Sequence, residues 1–204
     1  MPPVIKIQKE DIVNAAYEIA RKSGIEGVNA RAVAKELNCS IQPIFHNFKN
    51  MEDLKQVLYE KAVKTYKEYM TKGVDSDYSY KSIGINYIRL AKEEPNIFKM
   101  LFMRETNMTL ESFMAEDKAY EYIESTIATE TKMDKKTILK FHEKMWFFTH
   151  GIATLVADKT CNLTENEINE FLAEEFFALM KLEEFKQTED WKNILNYIKQ
   201  TNKE

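Results

Sequence analysis

The chain has 204 residues and a net charge of −4, and 44% of its residues are hydrophobic while 30% are charged. This composition excludes a disordered chain, and the length allows one or two compact domains. No apolar run approaches the roughly twenty residues that span a bilayer, the N-terminus lacks the apolar core of a secretory signal, and Cys39 and Cys161 stand far apart, so the sequence predicts a cytoplasmic protein without disulfides.

With only five Gly and four Pro, the chain is expected to have an all-α fold. The first helix is predicted from about Gln8 to Ser23, with Gly24 as its stop. Asn29 is placed to cap the second helix. Residues 1–50 hold seven Lys or Arg and five Asp or Glu, whereas the remainder holds 22 and 28. We therefore expect only the N-terminal end to favour an anionic partner such as DNA.

The segment from Val28 to Leu54 (VNARAVAKELNCSIQPIFHNFKNMEDL) holds two short helical patterns and the start of a third. Asn38 interrupts the first pattern and tolerates the left-handed backbone of a tight turn. Ser40 is placed to cap the next helix, where Pro43 falls in the first turn and costs no intrahelical donor. Two such helices with a polar outer face suit a helix-turn-helix whose second helix lies in the DNA major groove.

Longer helical patterns follow, with a linker rich in Gly, Asp and Ser at 73–79. A long helix is predicted to start near Asn50 or Asp53. The helices predicted after the linker run from about Tyr80 to Lys92, from Asn96 (after Pro95) to about Arg104, from Thr109 to Thr131, from Asp134 to Ala157, and from Asp190 to Lys199. Before the last of these, a capping box at Thr164–Glu167 opens a helix that extends to Leu182.

Two long helices near the C-terminus are apolar on more than one face. In the helix from Asp134 to Ala157, a second apolar stripe that includes Trp146 and Phe147 lies beside the first. Such helices either form the centre of a monomeric bundle or pair with the same helices of a second chain in a four-helix interface. The periodicity alone leaves both arrangements open.

The residues from Ser40 to Phe48 (SIQPIFHNF), followed by Asn50 to Leu54 (NMEDL), resemble the recognition helix and exit segment of TetR-family transcriptional regulators. Small, apolar and aromatic positions all fall in the register of that family. A later segment, WFFTHGIA at 146–153, resembles an aromatic-x-x-x-His-Gly motif in the ligand-binding region of one branch of the family. The resemblance is close over about the first sixty residues and extends to the later helices only in architecture.

The resemblance implies an N-terminal three-helix, helix-turn-helix DNA-binding domain at 1–50 and a larger helical effector-binding and dimerisation domain at 51–204. It also implies a homodimer through the last two long helices, which binds double-stranded, palindromic operator DNA. The expected function is a repressor that a small apolar effector molecule releases from DNA. No cofactor, metal ion or membrane partner is expected.

On this resemblance we expect nine residues to contact DNA. Gln42 is the best candidate to recognise a base, since its amide can form two hydrogen bonds with adenine. Ile41 and Pro43 could pack on thymine methyl groups, while Arg31 and Lys49 are expected to bind phosphates. The full set is Asn29, Arg31, Ser40, Ile41, Gln42, Pro43, Phe45, His46 and Lys49.

Two departures from the family pattern affect DNA affinity. Phe45 stands where the family commonly has Tyr, and Met51 stands where it usually has Lys, so two phosphate contacts are lost. Phosphate contacts supply much of the salt-dependent binding energy. A helical small-molecule-binding protein without DNA-binding activity is therefore an alternative.

The middle of the chain is rich in Met and aromatic residues. These side chains suit a pocket for apolar molecules, although at helical spacing most of them belong to an ordinary core. His150 is expected to be a hydrogen-bonded interior histidine, with ligand contact as an alternative. The predicted ligand-binding set is Tyr66, Phe98, Phe102, Met103, Met114, Phe147 and His150.

Catalytic and metal-binding motifs are absent from the sequence. It contains no Gly-rich phosphate loop, no G-x-S-x-G and no H-E-x-x-H. His142 and His150 stand eight positions apart, whereas metal ligands on a helix favour three or four. We expect no enzyme activity, but a helical enzyme with a site in the Met-rich middle is a second alternative, because sites assemble from distant residues.

Overall fold

The computed structural model describes residues 7–73 and 79–201, and every regular element in these ranges is a helix, which confirms the all-α prediction. A 3₁₀ turn at Ile25–Gly27 follows the first helix. The α-helices are α1 Lys9–Ser23, α2 Ala30–Glu36, α3 Gln42–Asn47, α4 Met51–Thr71, α5 Ser79–Glu93, α6 Pro95–Phe102, α7 Leu110–Ala115, α8 Tyr120–Thr131, α9 Lys135–Ala157, α10 Glu165–Phe185 and α11 Glu189–Thr201.

The turns that join α1, α2 and α3 have the backbone that the sequence predicts. Gly24 follows α1 with φ of 76°, a conformation that glycine adopts without strain. Asn29 caps α2, because its side-chain oxygen accepts a hydrogen bond from the backbone N–H of Ala32 at 3.0 Å. Asn38 has φ of 50° in the turn between α2 and α3. Both Asn predictions are confirmed.

The prediction that Ser40 caps α3 is wrong. The residue before this helix is Ile41, and no side chain caps it. A capping Ser40 would bond the N–H group of the second or third helical residue, but the third would be Pro43, which has no N–H. Ser40 is instead an exposed residue of the turn.

The single helix predicted from Thr109 to Thr131 is also wrong. Two helices, α7 and α8, occupy this range and are separated by a turn at 116–119. In the turn, the carboxylate of Asp117 accepts a hydrogen bond from the backbone N–H of Ala119 at 2.8 Å. This local bond replaces one that a continuous helix would supply, which is how Asp competes with helix formation.

The remaining predicted helices are present, and their caps agree with the sequence. Asp134 caps α9, and Thr164 forms the predicted capping box with Glu167 at the start of α10. Most of the predicted linker at 73–79 lies outside the described residues. Within the described ranges, no helix combines the length and the apolar character that crossing a membrane requires.

α5 lies at the centre of the body and contacts α4, α6, α8, α9 and α10. Gly84 permits its close approach to α10, because a Cβ atom at that position would lie only 3.3 Å from Cδ1 of Leu172. α1 packs against both α4 and α6. The short N-terminal helices therefore share one connected hydrophobic core with the body.

Candidate nucleic-acid interface and interior cavities

The outer face of α3 is exposed along its length. Ile44 points into the core, whereas Gln42, Phe45 and His46 are exposed. Phe45 is 47% exposed, and Ile41, immediately before the helix, is 44% exposed. Two large, exposed apolar side chains at one short helix indicate a surface that binds another molecule.

Two cations beside this face lack a carboxylate partner among the described residues. Arg31 on α2 and Lys49 after α3 are both exposed, and neither side chain takes part in a salt bridge there. Lys55 differs, because it pairs with Glu52 at 3.1 Å. Exposed cations without partners at the edge of a helix are suited to phosphate contacts.

Other members of the predicted DNA-binding set are partly occupied by contacts within the protein. Asn29 uses its side-chain oxygen to cap α2, and its amide group donates to the carbonyl of Gly27 at 3.3 Å. Pro43 is half-buried, and its carbonyl accepts a hydrogen bond from Asn47 at 2.8 Å. The set that stays exposed along α3 and its flanks is Ser40, Ile41, Gln42, Phe45, His46 and Lys49.

Polar contacts tie α1 to the body. Nε of Arg21 donates to Oε2 of Glu94 at 2.8 Å, and Nη2 of the same guanidinium donates to Oε1. The side chain of Asn96 donates to the carbonyl of Arg21 at 2.8 Å. On the α4 side, the hydroxyls of Tyr17 and Thr65 lie 2.8 Å apart. A displacement of α4 or α6 would therefore reach α1.

Four of the predicted ligand-binding residues meet around Tyr87 of α5. The ring centroids of Tyr66, Phe98, Phe102 and His150 lie 6.3, 5.4, 5.1 and 6.2 Å from that of Tyr87. The Tyr87 hydroxyl lies 3.0 Å from Nδ1 of His150. The cluster thus joins α4, α5, α6 and α9 in one aromatic contact.

Two cavities flank this aromatic cluster and share one wall. The first cavity lies among α4, α5 and α9 and is lined by His142 and Trp146, while the second cavity lies beside α4 and α6 and is lined by Phe102. Tyr66 and Asp117 line both. The Tyr66 hydroxyl donates to the Asp117 carboxylate, whose two oxygens lie 3.1 and 3.0 Å away. This hydrogen bond forms part of the shared wall.

Both cavities are small. The first has a volume of about 30 Å³, and the second has a volume of about 110 Å³. The first could hold roughly two water molecules, whereas pockets for drug-sized ligands measure about 300 Å³ or more. A ligand of that size would therefore require the side chains that line the cavities to move.

The first cavity contains a buried histidine with one free nitrogen. His142 is 4% exposed, and its Nδ1 lies 2.9 Å from the Tyr80 hydroxyl. Its Nε2 is the single buried side-chain N or O atom of the described residues without a hydrogen-bond partner. Burial lowers the pKa of His142 to about 4, so the ring is neutral at pH 7. The described residues contain no group of three or more side chains suited to a metal ion.

Three predicted ligand-binding residues lie apart from the aromatic cluster. Met103 is 39% exposed and lines a surface groove formed by the 3₁₀ turn, α4 and α6. Met114 is buried in α7. Phe147 is 54% exposed on the outer side of α9, with its ring 5.5 Å from that of Trp146.

Tyr87, Asp117 and His142 are cavity or cluster residues that the sequence does not assign to a ligand site. Tyr87 belongs to an ordinary apolar stripe, so no pattern distinguishes it. Asp117 looks like a solvated residue of a long helix until the turn at 116–119 is known. The one sequence feature that could have indicated a role for Asp117 is its position beside a segment rich in Met and Phe.

Comparison with known proteins agrees with the fold. No model of a known protein family matches the chain. The uncharacterised HTH-type transcriptional regulator YobS of Bacillus subtilis (strain 168) is 20% identical over 169 residues, which are 81% of this chain and 87% of YobS. A solved structure from Vibrio parahaemolyticus, described as a transcriptional regulator of the TetR family, aligns with a TM-score of 0.57 at 17% identity over 83% of this chain and 96% of the other. The chain has the all-α fold of a TetR-like regulator.

Proposed function

We propose that the protein is a transcriptional regulator that binds double-stranded operator DNA through residues 1–50 and binds its effector within residues 51–204. The exposed outer face of α3, with the unpaired cations Arg31 and Lys49 beside it, carries this proposal. Gln42 recognises a base edge, and Ile41 packs on a thymine methyl group. Arg31 and Lys49 bind phosphates and fix the position of the helix on DNA.

The regulator acts as a homodimer through α9 and α10. On α9, Phe147, Gly151 and Leu155 are exposed at intervals of four residues, and open space surrounds the position that a Gly151 Cβ would occupy. On α10, Phe171 and Phe185 are exposed on one face. The exposed stripe on α9, together with exposed Phe residues on α10, supports a four-helix interface between two copies. A dimer presents two recognition helices to the two halves of a palindromic operator.

The effector, a small apolar molecule, releases the repressor from DNA. Three residues separate the end of α3 from the start of α4, which carries Tyr66, and Tyr66 forms part of the wall shared by the two cavities. A ligand that displaces Tyr66 shifts α4, and the contacts of α1 with α4 and α6 carry that shift to the recognition helix. The effector need only bind the DNA-incompetent state more tightly than the competent state.

The test is a selection from random duplex DNA, followed by titration of the selected duplex at several salt concentrations. Gln42→Ala should relax the sequence preference, and Lys49→Ala should weaken binding to all sequences while lowering the salt slope by about one. Lys136→Ala, an exposed lysine of α9, is the matched control and should bind like wild type. If both N-terminal variants also bind like wild type, the assignment of α3 as the recognition helix is wrong.

The second candidate is a helical small-molecule-binding protein without DNA-binding activity. Phe45 and Met51, and the pairing of Lys55 with Glu52, favour it because they reduce the groups available to phosphates. The same titration separates the two functions. Weak binding without sequence preference, equal in wild type and in both variants, would support the second candidate.

A further inference from the structure

We infer that the effector of the first cavity is an apolar molecule with an oxygen acceptor, such as a carbonyl group, which accepts a hydrogen bond from Nε2 of His142. The inference rests on the proposed effector site, and it adds the chemistry that the ligand must offer. It starts from the unpartnered Nε2 of a histidine that lines the first cavity.

Either group can donate in the hydrogen bond between Tyr80 and His142, and we assign the donor role to the Tyr80 hydroxyl. The Tyr80 hydroxyl and Nδ1 of His142 lie 2.9 Å apart in a buried contact. When the hydroxyl donates to Nδ1, the ring proton of the neutral imidazole lies on Nε2, which becomes a donor. The low pKa of His142 agrees with a neutral ring. A buried donor without an acceptor is costly, so a ligand oxygen at this point gains the hydrogen bond that the protein does not supply.

The two charged side chains that line the cavity, Asp117 and Lys81, are opposite in sign, so together they favour an uncharged ligand. The Asp117 carboxylate lines the same cavity, forms no ion pair within the described residues and would repel an anion. Lys81 also lines the cavity and is half-buried, so it is the one group there that favours an anion. Tyr66 donates a hydrogen bond to Asp117 in the wall that the two cavities share. Rotation of the Tyr66 side chain opens a path for the apolar part of the ligand towards the second cavity.

The test uses three ligands of nearly the same shape: the ketone 4-phenyl-2-butanone, the carboxylate 3-phenylpropanoate and the hydrocarbon isopentylbenzene. Binding to the full-length protein is measured by calorimetry without DNA. The variant is His142→Asn, whose amide oxygen can still accept from Tyr80 but whose shorter side chain offers nothing at the Nε2 position. We expect His142→Asn to weaken ketone binding roughly fivefold and to change hydrocarbon binding less than twofold.

Asp117→Asn provides an independent test, in which the substitution should strengthen binding instead of weakening it. It should strengthen carboxylate binding relative to ketone binding, because the charge that repels the carboxylate is removed. Equal losses for the ketone and the hydrocarbon in His142→Asn would assign His142 a purely structural role and overturn the inference. Tighter binding of the carboxylate than of the ketone by wild type would overturn the uncharged class, and failure of both the ketone and the carboxylate to bind at millimolar concentration would overturn the site.

The DNA titration distinguishes failure of the inferred ligand chemistry from failure of the proposed function. If the protein binds a selected operator but none of the three ligands, the regulator stands and the inference fails. If the ketone binds through His142 but DNA does not bind, the inference stands and the regulator fails.

Discussion

Tyr66 donates a hydrogen bond to Asp117, 51 residues further along the chain, and the pair separates two interior cavities. Burial raises the pKa of the Asp117 carboxyl, while the Tyr66 hydroxyl and the Ala119 N–H oppose that shift. The pair therefore joins α4 to the turn between α7 and α8 through a partly buried carboxylate. Tyr66 belongs to α4 and lines both cavities, so a movement of this side chain would alter the wall of both.

Tyr66→Phe tests the contribution of this hydrogen bond. Removing the hydroxyl leaves the Asp117 carboxylate with one donor fewer, so the free energy of unfolding should fall by about 1–2 kcal/mol. Urea denaturation measures the change. Tyr197→Phe is the control, because Tyr197 is 68% exposed, and it should stay within about 0.5 kcal/mol of wild type. Equal effects of the two substitutions would show that the Asp117 contact contributes no net stability.

Asn38→Gly and Asn38→Ala test the turn of the helix-turn-helix. Asn38 has φ of 50°, where a Cβ-bearing residue without a local polar side chain is strained. Asn38→Ala should lower the free energy of unfolding by about 1 kcal/mol, whereas Asn38→Gly should cost less or stabilise the protein. Denaturant titration of both variants measures the change in the free energy of unfolding. An Asn38→Ala variant more stable than wild type would contradict the left-handed turn.

Phe45→Tyr restores the hydroxyl that the family pattern has at this position. Because Phe45 is exposed on α3, the new hydroxyl should donate to a phosphate and strengthen operator binding roughly tenfold. The hydroxyl carries no charge, so the salt slope should not change, in contrast to Lys49→Ala. Fluorescence anisotropy at three salt concentrations measures both quantities. No gain in affinity would place Phe45 away from the DNA backbone.

His142 makes stability depend on pH in a defined window. Its pKa is about 4 in the folded protein and about 6.5 when unfolded, so the unfolded chain binds more protons between these values. Stability should fall as the pH drops from about 6.5 to 4, by up to roughly 3 kcal/mol from this group.

The matched variant for this prediction is His142→Asn, compared with wild type at pH 7.5 and pH 5 by urea denaturation. The stability of wild type relative to the variant should decrease at the lower pH. Asp117, with its raised pKa, contributes with the opposite sign in both proteins and cancels in the comparison. A difference that does not change with pH would contradict a neutral buried His142.

Phe147→Glu separates a dimer surface from a ligand site. Phe147 is 54% exposed in line with Gly151 and Leu155, so a charge there should disrupt the proposed interface and produce a monomer in sedimentation equilibrium. Lys136→Glu, on the exposed start of α9, is the control and should remain dimeric. An unchanged dimer with weakened ligand binding would instead support the ligand role expected from the sequence.

The sequence predicts the helices well because caps and apolar spacing are local. Asn29, Asn38 and the Thr164 capping box need no knowledge of distant residues. The two errors also have local causes, since Pro43 removes one of the two N–H donors that a capping Ser40 could use, and Asp117 accepts a hydrogen bond within its own turn. Both involve competition between side chain and backbone, which helical periodicity does not register.

The interior site is harder to predict from the sequence. Tyr87 sits in an ordinary apolar stripe, and its role appears only when α4, α6 and α9 bring four aromatic rings around it. Asp117 and His142 become candidates only through the cavity that they share. Exposure along α3, in contrast, follows from helical spacing within a few residues, so most of the proposed DNA surface can be anticipated.

The measurement that tests the central claim most directly is selection of a binding site from random duplex DNA by the full-length protein, followed by anisotropy titration against a scrambled duplex. The proposed regulator predicts enrichment of a two-fold symmetric sequence, bound much more tightly than the scrambled duplex and with an affinity that falls steeply with salt. Enrichment of no sequence, with equal weak binding to both duplexes, would contradict it.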